Sequence, residues 1–362
     1  MGTGFVRGTR SALVLATALL AGACDDSVGP VNQGRLEVCD LPQDLLWASL
    51  PPDAIPALTL PDMVGAEDDD AAYLFDFDRV LGVVINGEAR AYPHNILWHH
   101  EIVNDQIGDQ WISVSFCPLT GSGVVFDPQV DGVRLDLGVS GLLFANNLVM
   151  FDRTSGAVYG PQLEVDGRCS VYTSATLEVL GVQEMSWGRW KALYPDTRVV
   201  GGSTGFPRNY RNYPYGSYDE ITSSDLLFPM DVDDSRPLKE RVLAIRNGRA
   251  GQGWPFGELA GLGDQVALNE TVGGVPTAIF YEARDGETAT AFDARADGQT
   301  LTFDTAAEGT WMDRETSSTW SISGLAIDGP LAGSQLEARE DAYVLFWFAW
   351  RHFQPDGETF GS

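Results

Sequence analysis

Positively charged residues are scarce in this chain of 362 residues, which has 23 lysines and arginines against 51 aspartates and glutamates. The formal net charge is −28, and the only lysines are Lys191 and Lys239. A chain this negative repels the phosphate backbone of nucleic acids and anionic lipid surfaces. We therefore expect no nucleic-acid partner, and we attribute the acidity to adaptation to a salty or GC-rich background.

Beyond the N-terminus the sequence also lacks any apolar run long enough to cross a membrane. Residues 1–23 carry two arginines, a short apolar run and three small residues, which together are typical of an export signal. The next residue, Cys24, resembles the lipidated cysteine of a bacterial lipobox. We predict that lipidated Cys24 anchors the protein in the cell envelope, facing the periplasm or the exterior, with plain secretion as the alternative. The rest of the chain is then expected to be soluble.

Cysteine is rare as well, with three residues left after Cys24, which permits at most one intrachain disulfide in an oxidising compartment. Cys39 lies in a proline-rich segment, and the sequence does not decide between a disulfide bridge and a free thiol at this residue. Cys169 has an apolar counterpart, Leu331, later in the chain, so we predict a small core residue.

Three sequence markers past residue 79 occur twice, in the same order and about 160 residues apart. They are residues 79–87 and 241–248, Asp152-Arg153 and Asp313-Arg314, and residues 187–196 and 347–356. We infer a tandem duplication. Features kept by both copies indicate architecture, and features kept by one copy are candidates for function.

The local patterns predict short strands, with a hairpin of residues 80–92 turning at Asn86-Gly87 and a helix around residues 187–194. The fold class is α+β and β-rich, with two tandem homologous units of short antiparallel strands, each closed by a short Trp-containing helix. The predicted segments are a signal peptide (1–23), a lipidated cysteine with a proline-rich arm (24–78), repeat unit one with the candidate site (79–201), an aromatic connector (202–240) packed on the body, and a structural repeat unit two (241–362).

The unusual polar residues cluster between residues 94 and 123, around His100 and Cys117. Copy two has no histidine before His352, and Ala283 aligns with Cys117. The candidate site therefore belongs to copy one.

Several motifs in these segments resemble those of one bacterial family, the domain of unknown function 3179. They are Asn86-Gly87-x-Ala89-Arg90-Ala91-Tyr92-Pro93, His100-Glu101-Ile102-Val103-Asn104-Asp105, Cys117-Pro118-Leu119, Gly138-Val139-Ser140-Gly141-Leu142, Asn147-Leu148-Val149-Met150-Phe151-Asp152-Arg153 and Phe346-Trp347-Phe348-Ala349-Trp350. The resemblance covers the chain from about residue 79 to its end and implies no established activity. It also implies a second cysteine where this chain has Thr120, a departure that disfavours dithiol chemistry.

Three kinds of chemistry fit these residues. Thiol exchange is disfavoured because Thr120 replaces a resolving cysteine and no helix follows Cys117. As a nucleophile, Cys117 would give its proton to His100, oriented by Glu101 or Asp105. As metal ligands, His100 and Cys117 are the strong candidates, too few for a closed site.

Four further residues near this cluster are candidate binding residues, namely Arg90, Tyr92, Asn104 and Thr120. The sequence thus predicts an envelope lipoprotein with a Cys-His site for cysteine-dependent chemistry, its substrate and cofactors unknown. The alternative is a non-catalytic lipoprotein that binds a metal or a small ligand, or acts as a scaffold.

Overall fold

The computed structural model describes residues 41–164 and 176–362. The predicted signal peptide and the cysteines Cys24, Cys39 and Cys169 lie outside the described residues. Within them the protein is β-rich and has four α-helices of seven residues each. These are α1 (His94–His100), α2 (Trp187–Leu193), α3 (Phe256–Leu262) and α4 (Trp347–Phe353).

Sixteen strands belong to the part of the described chain that precedes residue 202. They are β1 (Leu46–Ala48), β2 (Leu58–Thr59), β3 (Met63–Gly65), β4 (Arg79–Ile85), β5 (Glu88–Pro93), β6 (Ile102–Ile107), β7 (Gln110–Cys117), β8 (Ser122–Asp127), β9 (Gln129–Val130), β10 (Val133–Arg134), β11 (Leu137–Phe144), β12 (Asn147–Asp152), β13 (Val158–Pro161), β14 (Glu178–Leu180), β15 (Gln183–Ser186) and β16 (Arg198–Val200). They form sheets ordered β15-β4-β5-β16-β3, β14-β8-β7-β6-β2 and β1-β11-β12-β13, with β9 and β10 as a small ribbon.

The strands after residue 240 form a second set of sheets. They are β17 (Arg241–Ile245), β18 (Gln252–Pro255), β19 (Gln265–Val272), β20 (Val275–Glu282), β21 (Thr288–Asp293), β22 (Arg295–Ala296), β23 (Gln299–Thr300), β24 (Phe303–Thr305), β25 (Thr310–Asp313), β26 (Thr319–Ser321), β27 (Ala326–Asp328), β28 (Ala342–Phe346) and β29 (Glu358–Thr359). The sheets are ordered β28-β17-β18-β29, β19-β20-β21 and β24-β25-β26-β27, with β22 and β23 as a ribbon. Most of the pairings are antiparallel.

The predicted hairpin forms as β4 and β5, and its turn residues Asn86 (φ 52°) and Gly87 (φ 82°) both adopt the left-handed conformation. A two-residue turn of this kind matches the twist of the flanking strands, which explains the Asn-Gly pair. Helix α1 begins directly after Pro93 and ends at Glu101, whose φ is also positive at 57°. Helix α2 begins where the Ser186 hydroxyl accepts a hydrogen bond from the Arg189 amide.

The prediction of one helix per unit is incomplete, because each set of sheets carries two. Helix α1 follows β5 and α2 follows β15, while α3 follows β18 and α4 follows β28. Cys117 ends β7 and Glu282 ends β20, and the loop after β20 is one residue longer than the loop after β7. The alignment of Ala283 with Cys117 stays a prediction.

The two sets of sheets share one hydrophobic core. A single cluster of buried side chains contains Cys117 and Leu148 from the first set and Val242 and Trp347 from the second. Polar contacts also join the two sets: the Arg189 guanidinium pairs with Glu282 at 2.6 Å, and the Phe346 amide donates to the Thr120 carbonyl at 2.8 Å. Burial of this shared apolar surface is the main source of their association.

The arm before residue 79 is built into the sheets. Strand β1 pairs with β11, β2 pairs with β6, and β3 pairs with β16. The connector of residues 202–240 has no regular strand or α-helix, yet Tyr210 and Tyr218 within it are buried. It packs on the body, as its aromatic composition predicts.

The two repeated aspartates organise turns. Asp152 accepts hydrogen bonds from the amides of residues 136, 154 and 155, and buried Asp313 accepts from the indole of Trp320 at 2.8 Å. Their neighbours pair elsewhere, Arg153 with Asp53 and Arg314 with Asp304. This agrees with the structural interpretation of these pairs.

No helix in the described segments has both the length and the hydrophobicity that crossing a bilayer requires.

Candidate functional site

Cys117 ends strand β7 and is buried in the shared core. Its sulfur donates to the carbonyl oxygen of Asn146 at 3.4 Å. Burial, reinforced by the charge of Glu101, raises the pKa of the Cys117 thiol to about 11. A thiol with such a pKa is protonated at neutral pH, and the thiolate is the reactive form of cysteine.

Both ring nitrogens of His100 already have partners. Nδ1 donates to the Pro56 carbonyl oxygen at 2.7 Å, and Nε2 accepts from the Tyr210 hydroxyl at 2.6 Å. Burial lowers the pKa of His100 to about 4, so the imidazole is neutral at pH 7. The described hydrogen bonds thus give His100 and Cys117 separate partners, and the catalytic dyad stays a prediction.

Glu101, which the sequence predicts to orient His100, acts electrostatically on Cys117. It is buried, and no cation in the described part of the chain lies within ion-pair distance of it. Burial raises the pKa of its carboxyl to about 8. A non-glycine residue at φ 57° is uncommon, and such strain persists where the surrounding structure fixes it.

Asp105 pairs with two predicted binding residues and not with the histidine. One of its carboxylate oxygens accepts from Arg90 at 2.6 Å and from the Tyr92 hydroxyl at 2.7 Å. Neighbouring Asn104 donates to the Leu137 carbonyl. Arg90 and Tyr92 lie on β5 and Asp105 lies on β6, so these hydrogen bonds join two different sheets.

Thr120 belongs to a neutral polar network buried beside Cys117. Its hydroxyl lies 2.8 Å from the Ser122 hydroxyl and accepts from Asn147 at 3.0 Å. Gln162 closes the network by donating to Ser115 at 2.9 Å. A network whose members all hydrogen-bond to one another stabilises a unique packing of the core.

In the segments 41–164 and 176–362, no three His, Cys, Asp or Glu side chains are grouped so that they could hold a metal ion.

The turn after Cys117 borders a cavity of about 170 Å³ that lies between the two sets of sheets. The first set contributes Arg79, His94 and Glu184, and the second contributes Arg241. The connector adds Asp219. Asp78, Pro118 and Gly121 also line the cavity. Aromatic rings form much of the rest of the wall, and they belong to Phe77, Trp98, Phe116, Tyr213 and Phe346.

One ion pair closes part of this cavity. Arg79 Nε lies 2.6 Å from Glu184, and Arg79 Nη1 donates to the carbonyls of Gly286 and Glu287 at 2.8 and 2.9 Å. The imidazole of His94 lies against the ring of Phe116, with the ring centroids 4.0 Å apart and the planes tilted by 32°, and its Nε2 atom is 3.9 Å from Glu184. Burial lowers the pKa of His94 to about 3, so this ring is neutral.

Several polar atoms of the cavity are buried without a hydrogen-bond partner among the described residues. They are Arg79 Nη2, His94 Nε2, Glu184 Oε2 and the Tyr213 hydroxyl. Buried polar groups in folded proteins are nearly always paired, and each unpaired group costs about 1–3 kcal/mol. An accumulation of four around one cavity is a sign of a ligand site.

The Arg241 guanidinium is the unpaired cation of the cavity. No carboxylate within the described ranges lies at ion-pair distance from it, and burial together with the charge of Arg79 lowers its pKa to about 10. Sequence reasoning missed both arginines as site residues because their recurrence at the starts of β4 and β17 indicated architecture. The signal that could have found them is a charged residue that begins an otherwise apolar strand, at Arg79 in β4 and at Arg241 in β17.

A larger groove of about 370 Å³ lies between β4 and residues 335–340. No lysine, arginine or histidine lines it, and its walls are mostly apolar side chains, glutamines and glycines. Because it lacks the buried unpaired charges of the smaller cavity, we do not assign it a function.

The sequence of the chain matches the model of one family, a protein of unknown function (DUF3179), over residues 52–357. The match covers most of the chain, so the protein belongs to this family. No curated protein and no solved structure matches it. The family assignment therefore confirms the resemblance in the motifs and leaves the function to be argued from the site.

Proposed function

We propose that this protein is an exported, lipid-anchored protein of the cell envelope that binds a small ligand in the cavity between β4 and β17. The observation that carries the proposal is the group of buried, unpartnered polar atoms on Arg79, His94 and Glu184 around one cavity. A ligand that forms hydrogen bonds with these atoms removes the free-energy cost of burying them unpaired. A few such polar groups in a mostly apolar pocket also determine which ligand binds.

Export and anchoring are supported by the sequence alone. The basic start, the short apolar run and Cys24 after three small residues fit a lipoprotein signal. A lipid anchor would hold the binding domain at the membrane surface, where a strongly acidic chain stays clear of anionic headgroups.

Cysteine-dependent catalysis has less support than ligand binding. It needs a thiolate on Cys117 and a free nitrogen on His100, whereas burial raises the thiol pKa to about 11 and the hydroxyl of Tyr210 occupies Nε2. We propose instead that Cys117, Thr120 and the network around them support the wall of the cavity.

We also propose that the two sets of sheets are copies of one unit. The order of elements supports this, since β4-β5-α1 and β15-α2 in the first set correspond to β17-β18-α3 and β28-α4 in the second. Arg79 and Arg241 open corresponding strands, so the cavity would lie where the two copies meet.

The test is a ligand-observed NMR screen of small metabolites against the wild-type protein and two variants. Arg241→Met removes the unpaired cation, and Arg246→Met is the matched control because Arg246 follows the same strand and lies outside the cavity. We expect hits for the wild type and the control and their loss in Arg241→Met.

A stability measurement distinguishes a binding arginine from a structural one. Since Arg241 is half-buried and has no ion-pair partner within the described segments, its replacement by an apolar side chain should stabilise the ligand-free protein, on the order of 1 kcal/mol. Loss of stability in Arg241→Met, or equal hits for wild type and Arg241→Met, would contradict the proposal.

A further inference from the structure

We infer that the ligand is a small aliphatic α-amino acid, whose carboxylate pairs with Arg241 and whose ammonium group pairs with Asp219. This inference rests on the proposed function and names the ligand class of the same cavity. The two residues are half-buried, carry opposite charges and line the same cavity.

Three charged groups of the cavity lie outside ion-pair distance of an opposite charge in the described segments, namely Arg241, Asp219 and Asp78. Asp78 already accepts a hydrogen bond from the Phe75 amide at 2.8 Å, which leaves Arg241 and Asp219 as the cation and the anion available to a ligand. Arg79 and Glu184 neutralise each other at 2.6 Å. Arg241 and Asp219 interact at longer range, but neither lies within ion-pair distance of an opposite charge in the described segments. A guanidinium is suited to a carboxylate because its planar N–H groups match the two oxygens.

The Arg79–Glu184 ion pair also leaves one donor atom and one acceptor atom without a hydrogen-bond partner in the described segments. Arg79 Nη2 is a donor without an acceptor, and Glu184 Oε2 is an acceptor without a donor. A monoanion would leave Glu184 and Asp219 unsatisfied, and a monocation would leave Arg79 and Arg241 unsatisfied. A zwitterion satisfies both groups, and unpaired buried charge is the costlier outcome.

The size and walls of the cavity limit the rest of the ligand. An apolar cavity of about 150 Å³ holds benzene, so about 170 Å³ accommodates roughly six to eight non-hydrogen atoms. Alanine and valine fall in this range, and tryptophan exceeds it. The rings of Trp98, Phe116 and Phe346 provide an apolar surface for a short aliphatic side chain.

The experiment is isothermal titration calorimetry of the full chain at pH 7 with alanine, lactate, propionate and ethylamine. Lactate and propionate are close to alanine in size and carry only the carboxylate, whereas ethylamine is smaller and carries only the ammonium group. We expect alanine to bind at least tenfold more tightly than each of the others, and tryptophan not to bind. Asp219→Asn and Arg241→Lys should each weaken alanine binding at least tenfold, and Arg246→Met should leave it unchanged.

Different failures have different meanings. If propionate binds as tightly as alanine, the zwitterion inference is overturned while ligand binding in the cavity stands. If no amino acid binds but other metabolites bind in an Arg241-dependent manner, the ligand class is wrong and the proposed function stands. Absence of all Arg241-dependent binding overturns both. Far-UV circular dichroism of Asp219→Asn, an isosteric change, checks that the variant is folded.

Discussion

The indole of Trp190 lies directly on the backbone of Gly82, in the middle of β4. A methyl group added to Gly82 would overlap the ring carbons of Trp190, which is fully buried and donates through its indole nitrogen to Thr197 at 2.8 Å. Trp350 covers Gly253 on β18 in a similar way. In each set of sheets a tryptophan from a short helix thus packs on a strand that has no side chain at that point.

This contact predicts a large effect of a single methyl group. We expect Gly82→Ala to lower the free energy of unfolding by about 1–3 kcal/mol, because a well-packed core cannot absorb the overlap. Gly65→Ala is the control, since nothing lies within 4 Å of a Cβ at Gly65 and its φ is not positive. Urea unfolding monitored by tryptophan fluorescence measures both variants. Equal stability of the two would contradict the packing described.

The Glu101 carboxyl should make stability depend on pH. Its pKa is about 8 in the folded protein and 4.5 in its ordinary state, so between these values the unfolded chain binds fewer protons than the folded one. Stability is therefore lost as pH rises from 4.5 towards 8. Glu101→Gln removes this loss, so its advantage over wild type should grow from pH 5 to pH 8 by up to on the order of 4 kcal/mol.

Urea unfolding of wild type and Glu101→Gln at pH 5 and pH 8 measures this difference. The exposed Glu220 provides the control, and Glu220→Gln should show the same stability difference from wild type at both pH values. If the gain in stability of Glu101→Gln over wild type stays constant or decreases from pH 5 to pH 8, the Glu101 carboxyl ionises in the folded protein near its ordinary pKa, and this prediction is contradicted.

The Cys117 thiol should react slowly at neutral pH and independently of His100. We expect alkylation by iodoacetamide to rise only above about pH 10, because burial raises the thiol pKa to about 11, and His100→Ala should leave this profile unchanged. A background with Cys24, Cys39 and Cys169 changed to serine isolates the signal. A thiol pKa below 8 that increases in His100→Ala would restore the catalytic dyad.

The sequence predicts well those parts of the fold that depend on residues close together in the chain. The turn Asn86-Gly87 and the paired tryptophans of α2 depend on neighbours in the chain, and both appear as expected. Helix α3 escapes prediction because its seven residues include Gly257 and Gly261, which are poor helix formers, and packing against β18 and β19 compensates.

The site was harder to predict because its contacts join distant segments. His100 and Cys117 are close in sequence, yet the partner of His100 is Tyr210, in the connector 110 residues away. Arg79 and Arg241 come together only when the two sets of sheets pack on each other, and a recurring arginine indicates architecture until the cavity between the strands is known. The stretch of residues 94–123 does supply part of the wall, through His94, Trp98 and Phe116 among others.

The central claim is that the cavity between β4 and β17 binds a small ligand through Arg241. The most direct test is a crystal structure of the protein soaked with the compound that binds most tightly in the screen. The account predicts ligand density inside the cavity, with an oxygen within hydrogen-bond distance of the Arg241 guanidinium. Density at another place on the protein, with the cavity unchanged, would contradict it.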